Sequence, residues 1–599
     1  MRTIDEHLRE QLLAPEYHTG VRLSPDGQSV AVIRTTARGP EIVLDDRLLA
    51  AEHDQTVTDL RWAADGSALY YRRALRGTEK WQLVRLEPGG AAEVVPAAGP
   101  VAEFWTAGDR VAFAAGGVLH VSAPGREPDQ VSADRYHRWL VDRELRPRGG
   151  IRLQPDGGLH LVVDGAVRLA LGPDDSTTFA VVGFAADGRT VYLLSAHDAP
   201  TRRLLALECA TGRQHTVFAH PDLDVEGYPI GGPGVWCDPR TGEPDICQTV
   251  GQRPQLHGLG RPTPVFAVGP DEAMLLLDRS TDDSTWLTVR VRSDGPIRYE
   301  LVAPDTGATR PLLVNRPGLA GRRLPRLDDL HVTAGDGVCL HGYAMRPLDT
   351  TGPLPTVVIV HGGPAGRDYF RFHALAQYVA ALGFQSLHVN YRGSRGFGTA
   401  FRRAGDGEWG GRMQQDLYDA IADGARQGLV DPDRVALLGA SYGGYAALLA
   451  ACTRPDLVRC AVAFSPPCDL AALVGDTPAY WRPLAATLHR HILGDHPADA
   501  DWLRGRSPRH LLSPDAAPML IAHGARDPRV PVAQAEDFVA AADRAAAPVT
   551  YLRLDGEGHH VTTTQSRRVL FRRIEEFLEV HLVHDHRTAA PAPAIAVHP

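Results

Sequence analysis

Cysteine is scarce in this sequence, and long apolar runs are missing. Seven cysteines are spread over 599 residues, and their odd number and scattered positions do not suit a disulfide framework, so we expect reduced thiols. No stretch approaches the roughly 20 consecutive apolar residues that a membrane-spanning helix needs. The charged N-terminal stretch also lacks the apolar segment of a secretory signal. The sequence therefore predicts a cytoplasmic protein without a membrane partner.

Signals for nucleic-acid, nucleotide and metal chemistry are absent as well. The 63 basic and 72 acidic residues give a formal charge of −9 without a long basic stripe, so we expect no nucleic-acid partner. The sequence contains no Walker A motif, no dinucleotide-binding fingerprint and no HExxH motif. His584-Asp585-His586 could offer metal ligands, but no cysteine lies near it. We therefore expect neither a cofactor nor a metal.

The composition that is present is globular, with 44% hydrophobic and 23% charged residues. A single hydrophobic core stops growing at roughly 250–300 residues. A chain of 599 residues exceeds that limit, so the sequence predicts two large domains.

The first half of the chain has the pattern of a repetitive all-β domain. From residue 20 to 315, short alternating apolar stretches separated by Gly, Asp and Pro predict many short antiparallel strands. Asp-Gly turns at residues 24–27, 64–66, 155–157 and 186–188 precede strands, and Thr-Gly turns at 210–212 and 305–307 follow others. Such repetition is typical of propeller blades, and about 300 residues at roughly 40–50 per blade allow six to eight. A pair of β-sandwiches is the alternative interpretation.

The pattern changes after a Pro-, Gly- and Arg-rich stretch at residues 315–326. Beyond it, apolar strands at 356–360, 384–390 and 434–440 alternate with helices near 372–382, 412–427 and from 442. This alternation predicts a mostly parallel, doubly wound sheet. We therefore divide the chain into residues 1–325, a β-propeller with a short N-terminal segment, and 326–585, an α/β-hydrolase domain. Residues 586–599 are rich in Pro and Ala and are predicted to be a disordered tail.

The sequence places a candidate nucleophile, Ser441, between a strand and a helix. Gly439-Ala-Ser441-Tyr-Gly443 follows the apolar stretch VALLGA and precedes GGYAALLAACT. In a nucleophile elbow the serine occupies a strained turn, and the flanking glycines let strand and helix pass closely. The setting, more than the five-residue motif, predicts that Ser441 is a nucleophile.

A serine nucleophile needs a base and a carboxylate that orients the base, in the chain order Ser, Asp, His. Asp527 follows the predicted strand PMLIAHG, and His559 follows the next strand, VTYLRL. Both lie where strands of such a sheet end, at the edge that assembles sites. The adjacent His560 is the alternative base. Asp555 and Glu557 are weaker candidates for the orienting carboxylate, because they share the loop of the base and are expected to face water.

The negative charge that forms on a substrate carbonyl needs backbone N–H donors. One donor is expected from Tyr442, directly after the nucleophile. The other is expected from the turn His361-Gly362-Gly363-Pro364, which follows the predicted strand TVVIV. A plain glycine-rich turn is the alternative interpretation of this segment.

The second half of the chain resembles the prolyl oligopeptidase family of serine peptidases. The resemblance depends on seven segments, which are GASYGGY (439–445), HGGP (361–364), HGARDPRVP (523–531), GEGHH (556–560), NYRGSRGFG (390–398), GDGEWG (405–410) and TAGDGVCLHGY (333–343). It implies a seven-bladed propeller in front of the hydrolase domain. It is weaker in the first half, where only the turns and the stretch from Trp286 to Gly307 resemble the family.

The resemblance also bears on the substrate. In the prolyl oligopeptidase and acylaminoacyl peptidase branches, an Arg two residues after the catalytic Asp binds a substrate carbonyl, and Arg529 occupies this place. The dipeptidyl peptidase branch binds a free N-terminal amine with paired glutamates, and no Glu-Glu pair occurs in the first domain. Glu103, Asp142 or Glu144 could still supply a carboxylate, so aminopeptidase activity stays open.

These observations lead to one main hypothesis and two alternatives. We expect a serine peptidase that cleaves short peptides through Ser441, Asp527 and His559, with the propeller excluding folded proteins. The alternatives are an esterase or amidase for a non-peptide small molecule and an inactive binding module. The preferred residue at the cleavage site and the oligomeric state stay open, and a homo-oligomer is compatible with the sequence.

Overall fold

The fold was analysed in a computed structural model of the chain. The structure describes residues 4–14, 18–36, 38–262, 266, 268–363, 365–475, 485–496 and 499–583. The side chains of residues 485–487 are not included. The predicted tail at 586–599, the His584-Asp585-His586 triplet and Pro364 lie outside the described residues.

Seven small antiparallel sheets follow one another along the first half of the described chain. In each, the strands pair in chain order, which is the arrangement of a propeller blade. The first two blades contain β1 (His18–Leu23), β2 (Val30–Thr36), β3 (Gly39–Leu44), β4 (Arg47–Ala51), β5 (Gln55–Trp62), β6 (Leu69–Leu75), β7 (Gln82–Leu86) and β8 (Ala92–Val94). The next two contain β9 (Val101–Ala107), β10 (Arg110–Ala115), β11 (Val118–Ser122), β12 (Asp129–Gln130), β13 (Arg138–Val141), β14 (Pro147–Leu153), β15 (Leu159–Val163) and β16 (Ala166–Leu171).

The last three blades complete the propeller. They contain β17 (Ala180–Phe184), β18 (Thr190–Ser195), β19 (Arg203–Glu208), β20 (Gln214–Phe218), β21 (Val235–Cys237), β22 (Pro244–Val250), β23 (Pro254–Gly258), β24 (Glu272–Arg279), β25 (Trp286–Arg292), β26 (Arg298–Ala303) and β27 (Ala308–Val314). A backbone hydrogen bond of 2.8 Å from Thr281 N to Pro25 O joins the last blade to the first. The prediction of a seven-bladed propeller is confirmed, and the sandwich alternative is wrong.

The Asp-Gly turns predicted from the sequence connect strands within blades. Three of the four join the first and second strands, and the turn at residues 155–157 joins the second and third. In the first turn, the Asp26 carboxylate accepts a hydrogen bond of 3.1 Å from Gln28 N. This local bond explains why Asp precedes Gly in such turns.

The second half contains one sheet of eight strands. They are β28 (Leu327–Thr333), β29 (Cys339–Met345), β30 (Leu354–Val360), β31 (Gln385–Asn390), β32 (Val430–Ala440), β33 (Cys460–Phe464), β34 (Met519–Gly524) and β35 (Val549–Leu554). The spatial order is β28-β29-β31-β30-β32-β33-β34-β35, antiparallel up to β31 and parallel from there on. The α/β-hydrolase prediction is confirmed.

The helices among the described residues are at most 15 residues long. They are α1 (Glu6–Leu13), α2 (Pro173–Ser176), α3 (Ala374–Ala381), α4 (Gly398–Arg403), α5 (Arg412–Arg426), α6 (Tyr442–Thr453), α7 (Leu470–Gly475), α8 (Ala485–Leu493), α9 (Ala500–Arg504), α10 (Ala533–Ala545) and α11 (Thr564–Leu578). Short 3₁₀ turns occupy Pro317–Leu319 and Pro508–His510, and a π-helical turn occupies Glu579–Val583. Among the described residues, none of the helices combines the length and apolar character of a membrane span. All seven cysteines are free thiols.

Helix α1 precedes the propeller in sequence but packs on the hydrolase domain. Leu12 and Leu13 are buried in one hydrophobic cluster with Phe571 of α11. The Arg9 guanidinium donates a hydrogen bond of 2.7 Å to the Tyr378 hydroxyl and also pairs with Glu575. The N-terminal segment therefore joins the hydrolase core. The predicted boundary at residue 325/326 lies in the connection between β27 and β28.

The two domains share a polar and partly buried interface. Gln377 of α3 donates a hydrogen bond of 2.9 Å to the Ser293 carbonyl in the last blade. Arg367, whose side chain is fully buried, forms an ion pair of 2.9 Å with Glu226. An unpaired buried charge would be costly, so this contact holds the domains in a defined orientation.

We predict that Leu12→Ala lowers the thermal stability of the hydrolase domain. Leu12 is fully buried, and loss of such a leucine typically costs about 2–5 kcal/mol. We expect the calorimetric midpoint to fall by about 5 °C or more. Leu48→Ala is the matched control, since Leu48 is 50% exposed. Equal midpoints for the two variants would show that α1 contributes nothing to this core.

Candidate active site

The three residues of the predicted triad lie at one edge of the eight-stranded sheet. Ser441 follows β32, Asp527 follows β34 and His559 follows β35. The strands from β32 to β35 are adjacent and parallel, so their carboxyl ends point the same way. The chain order and the sheet order together bring the three loops to the same edge.

Ser441 occupies a strained turn between β32 and α6. Its φ and ψ angles are 55° and −123°, outside the ordinary regions for a residue with a side chain. A hydrogen bond of 2.8 Å from Ser441 N to Phe464 O ties the turn to β33. Gly443 passes so close to β30 that a Cβ there would lie 2.0 Å from Val360 O. This is the close passage of strand and helix that the flanking glycines predicted.

Asp527 and His559 form a direct pair. His559 Nδ1 lies 2.7 Å from Asp527 Oδ2, and the histidine side chain is 10% exposed. A carboxylate only accepts hydrogen bonds, so Nδ1 carries the proton and Nε2 is left as an acceptor. The other carboxylate oxygen of Asp527 accepts bonds of 2.8 Å from Arg529 N and 3.0 Å from Val530 N. These contacts fix both the carboxylate and the ring that it orients.

Asp527 is kept ionised by its contacts. Burial alone would raise the pKa of this carboxyl, but hydrogen bonds from His523 and His559 hold the pKa well below its ordinary value. His523 is a neighbour that the sequence prediction missed. It is fully buried in β34, and its Nε2 lies 2.9 Å from Val530 O and 3.5 Å from Asp527 Oδ2. A histidine inside an otherwise apolar strand was the only sequence signal for it.

The loop of the base contradicts one expectation. Glu557 does not face water but is fully buried. Its two carboxylate oxygens accept bonds of 2.9 Å from Thr562 N and 3.1 Å from Thr563 N, together with both threonine hydroxyls. Burial would raise the pKa of Glu557, but these hydrogen bonds lower it below the ordinary value. Glu557 closes the loop around His559, whereas Asp555 is exposed and pairs with Arg553.

The residues predicted to supply backbone donors lie next to Ser441. Tyr442 is the first residue of α6, so its N–H has no acceptor within the helix. Gly362 lies beside the nucleophile, because a Cβ on it would lie 3.4 Å from Ser441 Cβ. The ring of His361 stacks on Tyr391 at 4.3 Å, and its Nε2 lies 3.0 Å from Ser394 Oγ. Burial lowers the pKa of His361, which keeps this ring neutral.

The Tyr442 side chain cannot take part at the surface of the site. It is fully buried and contacts Trp409, with the ring centroids 4.7 Å apart, and Tyr391, at 5.2 Å. Trp409 belongs to the GDGEWG segment, whose Glu408 carboxylate accepts a bond of 2.7 Å from Arg412 N. This aromatic cluster packs against the buried side of the turn that carries Ser441.

A propeller loop reaches the loops of Asp527 and His559. Gly77, between β6 and β7, lies so close that a Cβ on it would be 3.2 Å from Arg526 Cβ and 3.7 Å from Gly558 N. Two residues later, Glu79 Oε1 lies 3.1 Å from Arg529 Nε. Arg529, the predicted carbonyl-binding residue, is therefore paired with a carboxylate of the other domain.

The propeller acids that were candidates for binding a substrate amine do not form a pair of free carboxylates. Glu103 and Asp142 line a cavity of 470 Å³ formed by the first strands of several blades. Glu103 accepts a bond of 2.7 Å from Trp139 N, and burial raises its pKa. Asp142 accepts bonds of 3.0 Å from Glu144 N and 2.9 Å from Arg146 N. Glu144 itself is exposed.

Asp368, His373 and His388 have ligand atoms within 4.8 Å of one another, close enough for a metal ion. Two of the side chains already have structural roles. His373 Nδ1 accepts a bond of 3.2 Å from Ala376 N and caps α3, and His388 Nε2 lies 3.2 Å from Ser386 Oγ. Burial lowers the pKa of His373 to about 3. A metal would have to compete with the helix cap for this ring.

Part of this chain is similar to a known peptidase family. Residues 370–585 match the sequence model of the prolyl oligopeptidase family, and this range contains Ser441, Asp527 and His559. Dipeptidyl aminopeptidase BIII of Pseudoxanthomonas mexicana is 31% identical over 420 residues, which are 68% of this chain and 60% of the relative. Acylamino-acid-releasing enzyme 2 of Oryza sativa subsp. japonica is 28% identical over 38% of this chain and 30% of the relative.

The similarity to solved structures extends over both domains. A puromycin-hydrolyzing peptidase of Mycobacterium tuberculosis superposes with a TM-score of 0.77, covering 100% of this chain and 98% of that chain at 18% identity. At this identity the likeness concerns the fold. The matches span 60% and 30% of the length of the two sequence relatives.

We predict that Glu557→Gln loosens the His559 loop and lowers stability at neutral pH by about 1–3 kcal/mol, because one amide oxygen cannot replace two carboxylate oxygens. The pKa of Glu557 is lowered by folding, so its contribution is present above the ordinary value of 4.5 and is lost as the pH falls through the folded value. The difference in stability from wild type should therefore shrink below about pH 4.5, as measured by thermal denaturation across pH.

Asp555→Asn is the control for this experiment. Asp555 lies in the same loop but is exposed. Its variant should track wild type at every pH. A pH-independent difference between wild type and Glu557→Gln would contradict the role of the ionised carboxylate.

Proposed function

This chain belongs to the prolyl oligopeptidase family, and from that premise we propose that it is a serine peptidase that hydrolyses short peptides. Ser441 is the nucleophile, His559 the base and Asp527 the carboxylate that orients the base. The observation that carries the proposal is the 2.7 Å contact between His559 Nδ1 and Asp527 Oδ2, at the sheet edge where the Ser441 elbow also lies.

The proposed reaction begins with proton transfer from Ser441 Oγ to His559 Nε2 as Oγ attacks the carbonyl carbon of the peptide bond. Asp527 holds the ring in the required tautomer and stabilises the imidazolium that forms. When the tetrahedral intermediate collapses, the C–N bond breaks and His559 gives its proton to the leaving amine. Water then attacks the acyl ester, with His559 again taking a proton, and Ser441 is regenerated.

The negative charge on the carbonyl oxygen is assigned to two backbone donors, at Tyr442 and in the His361-Gly362 segment. The Tyr442 N–H stands at the start of α6, where the helix dipole also favours negative charge. Buried packing of the Tyr442 ring and the stacking of His361 on Tyr391 hold these donors in place before substrate arrives. Preorganised donors of this kind contribute about 3–4 kcal/mol each in related chemistry.

The propeller is proposed to limit the size of the substrate. Its loop at Gly77 and Glu79 contacts the loops that carry Asp527 and Arg529, and we expect this contact to keep a folded protein away from this edge. Arg529 is proposed to bind a peptide carbonyl once Glu79 releases it. The relatives include a dipeptidyl aminopeptidase and an acylamino-acid-releasing enzyme, and the proposal leaves both a free and an acylated N-terminus open. We also propose a cytoplasmic location.

An esterase or amidase for a non-peptide small molecule is the second candidate. The observation in its favour is that Arg529, the residue assigned to peptide binding, is engaged by Glu79 at 3.1 Å. A small acyl ester would need only the triad and the backbone donors. A panel of short peptide anilides and acyl esters separates the two functions, because turnover of esters alone would favour the second.

We predict that Ser441→Ala lowers kcat for short peptide anilides by at least about a thousandfold and abolishes labelling by a fluorophosphonate. Loss of the Oγ removes the nucleophile while the elbow backbone is retained. Thr453→Ala, a substitution at the far end of the same helix, where the hydroxyl donates a bond of 2.7 Å to Leu449 O, should keep both properties. Near wild-type hydrolysis by Ser441→Ala would reject the proposed mechanism.

We further predict that Arg529→Met reduces kcat/KM for peptide anilides by about 10- to 100-fold, the range for a hydrogen bond to a charged group. Small acyl esters, which lack the additional carbonyl, should be affected much less. Arg526→Met is the matched control, since Arg526 is exposed in the same loop. A parallel loss for peptides and esters would argue against carbonyl binding by Arg529.

A further inference from the structure

A second cavity lies between the propeller and the hydrolase domain. It has a volume of 230 Å³, and its lining includes Arg202, Asp224 and Glu226 from the propeller and Ala365, Arg395 and Arg402 from the hydrolase domain. The sequence prediction assigned no role to any of these side chains. Three guanidiniums and two carboxylates around one small space raise the question of charge balance.

The two carboxylates are already engaged. Glu226 forms the buried ion pair of 2.9 Å with Arg367. Asp224 accepts bonds of 2.7 Å from Arg202 N and 3.0 Å from Gly396 N. Neither acid is therefore free to bind the amine of a substrate in this cavity.

The three guanidiniums are not matched by these acids. Within the part of the chain that the structure describes, none of them forms an ion pair within 4.0 Å. Arg202 bonds only to backbone carbonyls, at 2.6 Å to Thr178 O and 3.5 Å to Val225 O. Arg402 is 7% exposed, bonds to Asp174 O, and its Nε has no hydrogen-bond partner among the described residues.

Burial lowers the pKa of Arg202 and of Arg402. The nearby carboxylates only partly offset this cost. The carboxylates near Arg402 also include Asp406 and Asp174, which already pair with His491 and Arg490. Because Glu226 is paired with Arg367, Asp224 is the remaining carboxylate near the three guanidiniums among the described residues. Positive charge held in a confined space with too few counter-charges favours binding of an anion.

Arg395 connects this cavity to the loop after β30, which contains the proposed backbone donors in the His361-Gly362 segment and is called the oxyanion loop below. Its backbone N–H donates a bond of 3.3 Å to Gly366 O, and the preceding residue, Ser394, contacts His361 at 3.0 Å. Its side chain is solvent-accessible where it lines the cavity. Ala365 completes the wall, a short distance along the same loop from Gly362, which lies against Ser441. A ligand in this cavity would therefore lie next to the loop that holds the scissile carbonyl.

We propose that the cavity binds a carboxylate group of the peptide substrate through Arg395, with Arg202 and Arg402 supplying further positive charge. The inference rests on the proposed peptidase function and names a substrate class within it, namely peptides with a carboxylate near the cleaved bond. A planar guanidinium matches a carboxylate through two parallel hydrogen bonds. The carboxylate belongs either to an acidic side chain or to the C-terminus of the peptide.

The test compares matched short peptides that differ only in charge. In one set both ends of the peptide are blocked, and Glu or Gln is placed in turn at each of the two positions before and the two positions after the cleaved bond. A second set has neutral side chains and either a free or an amidated C-terminus. We expect the acidic member to exceed its neutral partner in kcat/KM by about 10-fold or more at one position or in the C-terminal set, consistent with a charge-assisted hydrogen bond. The set in which the preference occurs identifies the source of the carboxylate.

Variants of Arg395 test whether the preference for acidic peptides depends on the cavity. In Arg395→Gln the ratio of acidic to neutral kcat/KM should fall to about 1–2, and Arg395→Lys should keep part of it. Arg403→Gln is the control, because Arg403 lies nearby but does not line the cavity and is paired with Asp175 at 2.9 Å. It should keep the wild-type ratio. Equal cleavage of acidic and neutral peptides by wild type, or an unchanged ratio in Arg395→Gln, would overturn the inference.

Binding to Ser441→Ala protein separates this inference from the proposed activity. Calorimetry should show about 10-fold tighter binding of the acidic peptide than of its neutral partner, and Ser441→Ala combined with Arg395→Gln should remove the difference. If wild type cleaved no peptide but this binding preference were present, the peptidase proposal would fail while the carboxylate site would stand. If peptides were cleaved without any binding preference, the carboxylate site would fail alone.

Discussion

The steric contact between Gly443 and β30 determines the position of Ser441. A Cβ at residue 443 would lie 2.0 Å from Val360 O, so α6 can start this close to the sheet only with glycine there. The same approach forces the positive φ of Ser441 and leaves the first N–H groups of α6 at the sheet edge. The strain at the serine is sustained because Tyr442, Trp409 and Tyr391 pack tightly beneath the turn. Packing energy on the buried side thus holds a conformation that the backbone alone would not adopt.

Asp527 determines the position of the proposed base, His559. A buried carboxylate would ordinarily gain a proton, but this one receives hydrogen bonds from two backbone amides and from His559 and lies beside His523. The cost of burial is offset by contacts that each require a particular loop geometry. Glu557 repeats the same principle on the next loop, where two threonines satisfy a fully buried carboxylate. The orientation of the His559 ring therefore depends on two ionised acids. Asp527 contacts the ring directly, and Glu557 holds the loop that carries it.

The sequence predicted those parts of the molecule whose signals are local. The strand-to-helix boundary around Ser441 and the positions of Asp527 and His559 after successive strands could be read because each motif is attached to a short apolar run. The blade turns could be read for the same reason. The predicted β30 and β31 agree with the observed strands within about two residues, while β32 begins at Val430, before the predicted start at 434.

The remaining features depend on contacts between residues far apart in the chain. Glu557 was expected to face water, since an acid beside glycines ordinarily does, and only the fold shows that Thr562 and Thr563 enclose it. The packing of α1 on α11 joins the two ends of the described chain, and no periodicity in either helix reveals it. The pairing of Arg529 with Glu79 likewise depends on how the domains dock. Sequence patterns indicate what a segment prefers, whereas burial and pairing depend on which other segment covers it.

The substrate specificity of this site depends on how the propeller docks on the hydrolase domain. On one side of the site, the Gly77 loop touches the Asp527 and His559 loops, and on the other, Glu226 and Asp224 bind Arg367 and Gly396 beside the oxyanion loop. The contacts of Glu79, Glu226 and Asp224 pair a propeller carboxylate with a hydrolase guanidinium or amide that lies near the substrate space. The propeller therefore does more than cover the site, because it determines which cations near Ser441 are paired and which stay available. In this arrangement Arg529 is paired with Glu79, whereas Arg395 forms no ion pair within 4.0 Å among the described residues and interacts with the Tyr369 hydroxyl. The charge that an incoming peptide meets therefore depends on how the two domains fit together.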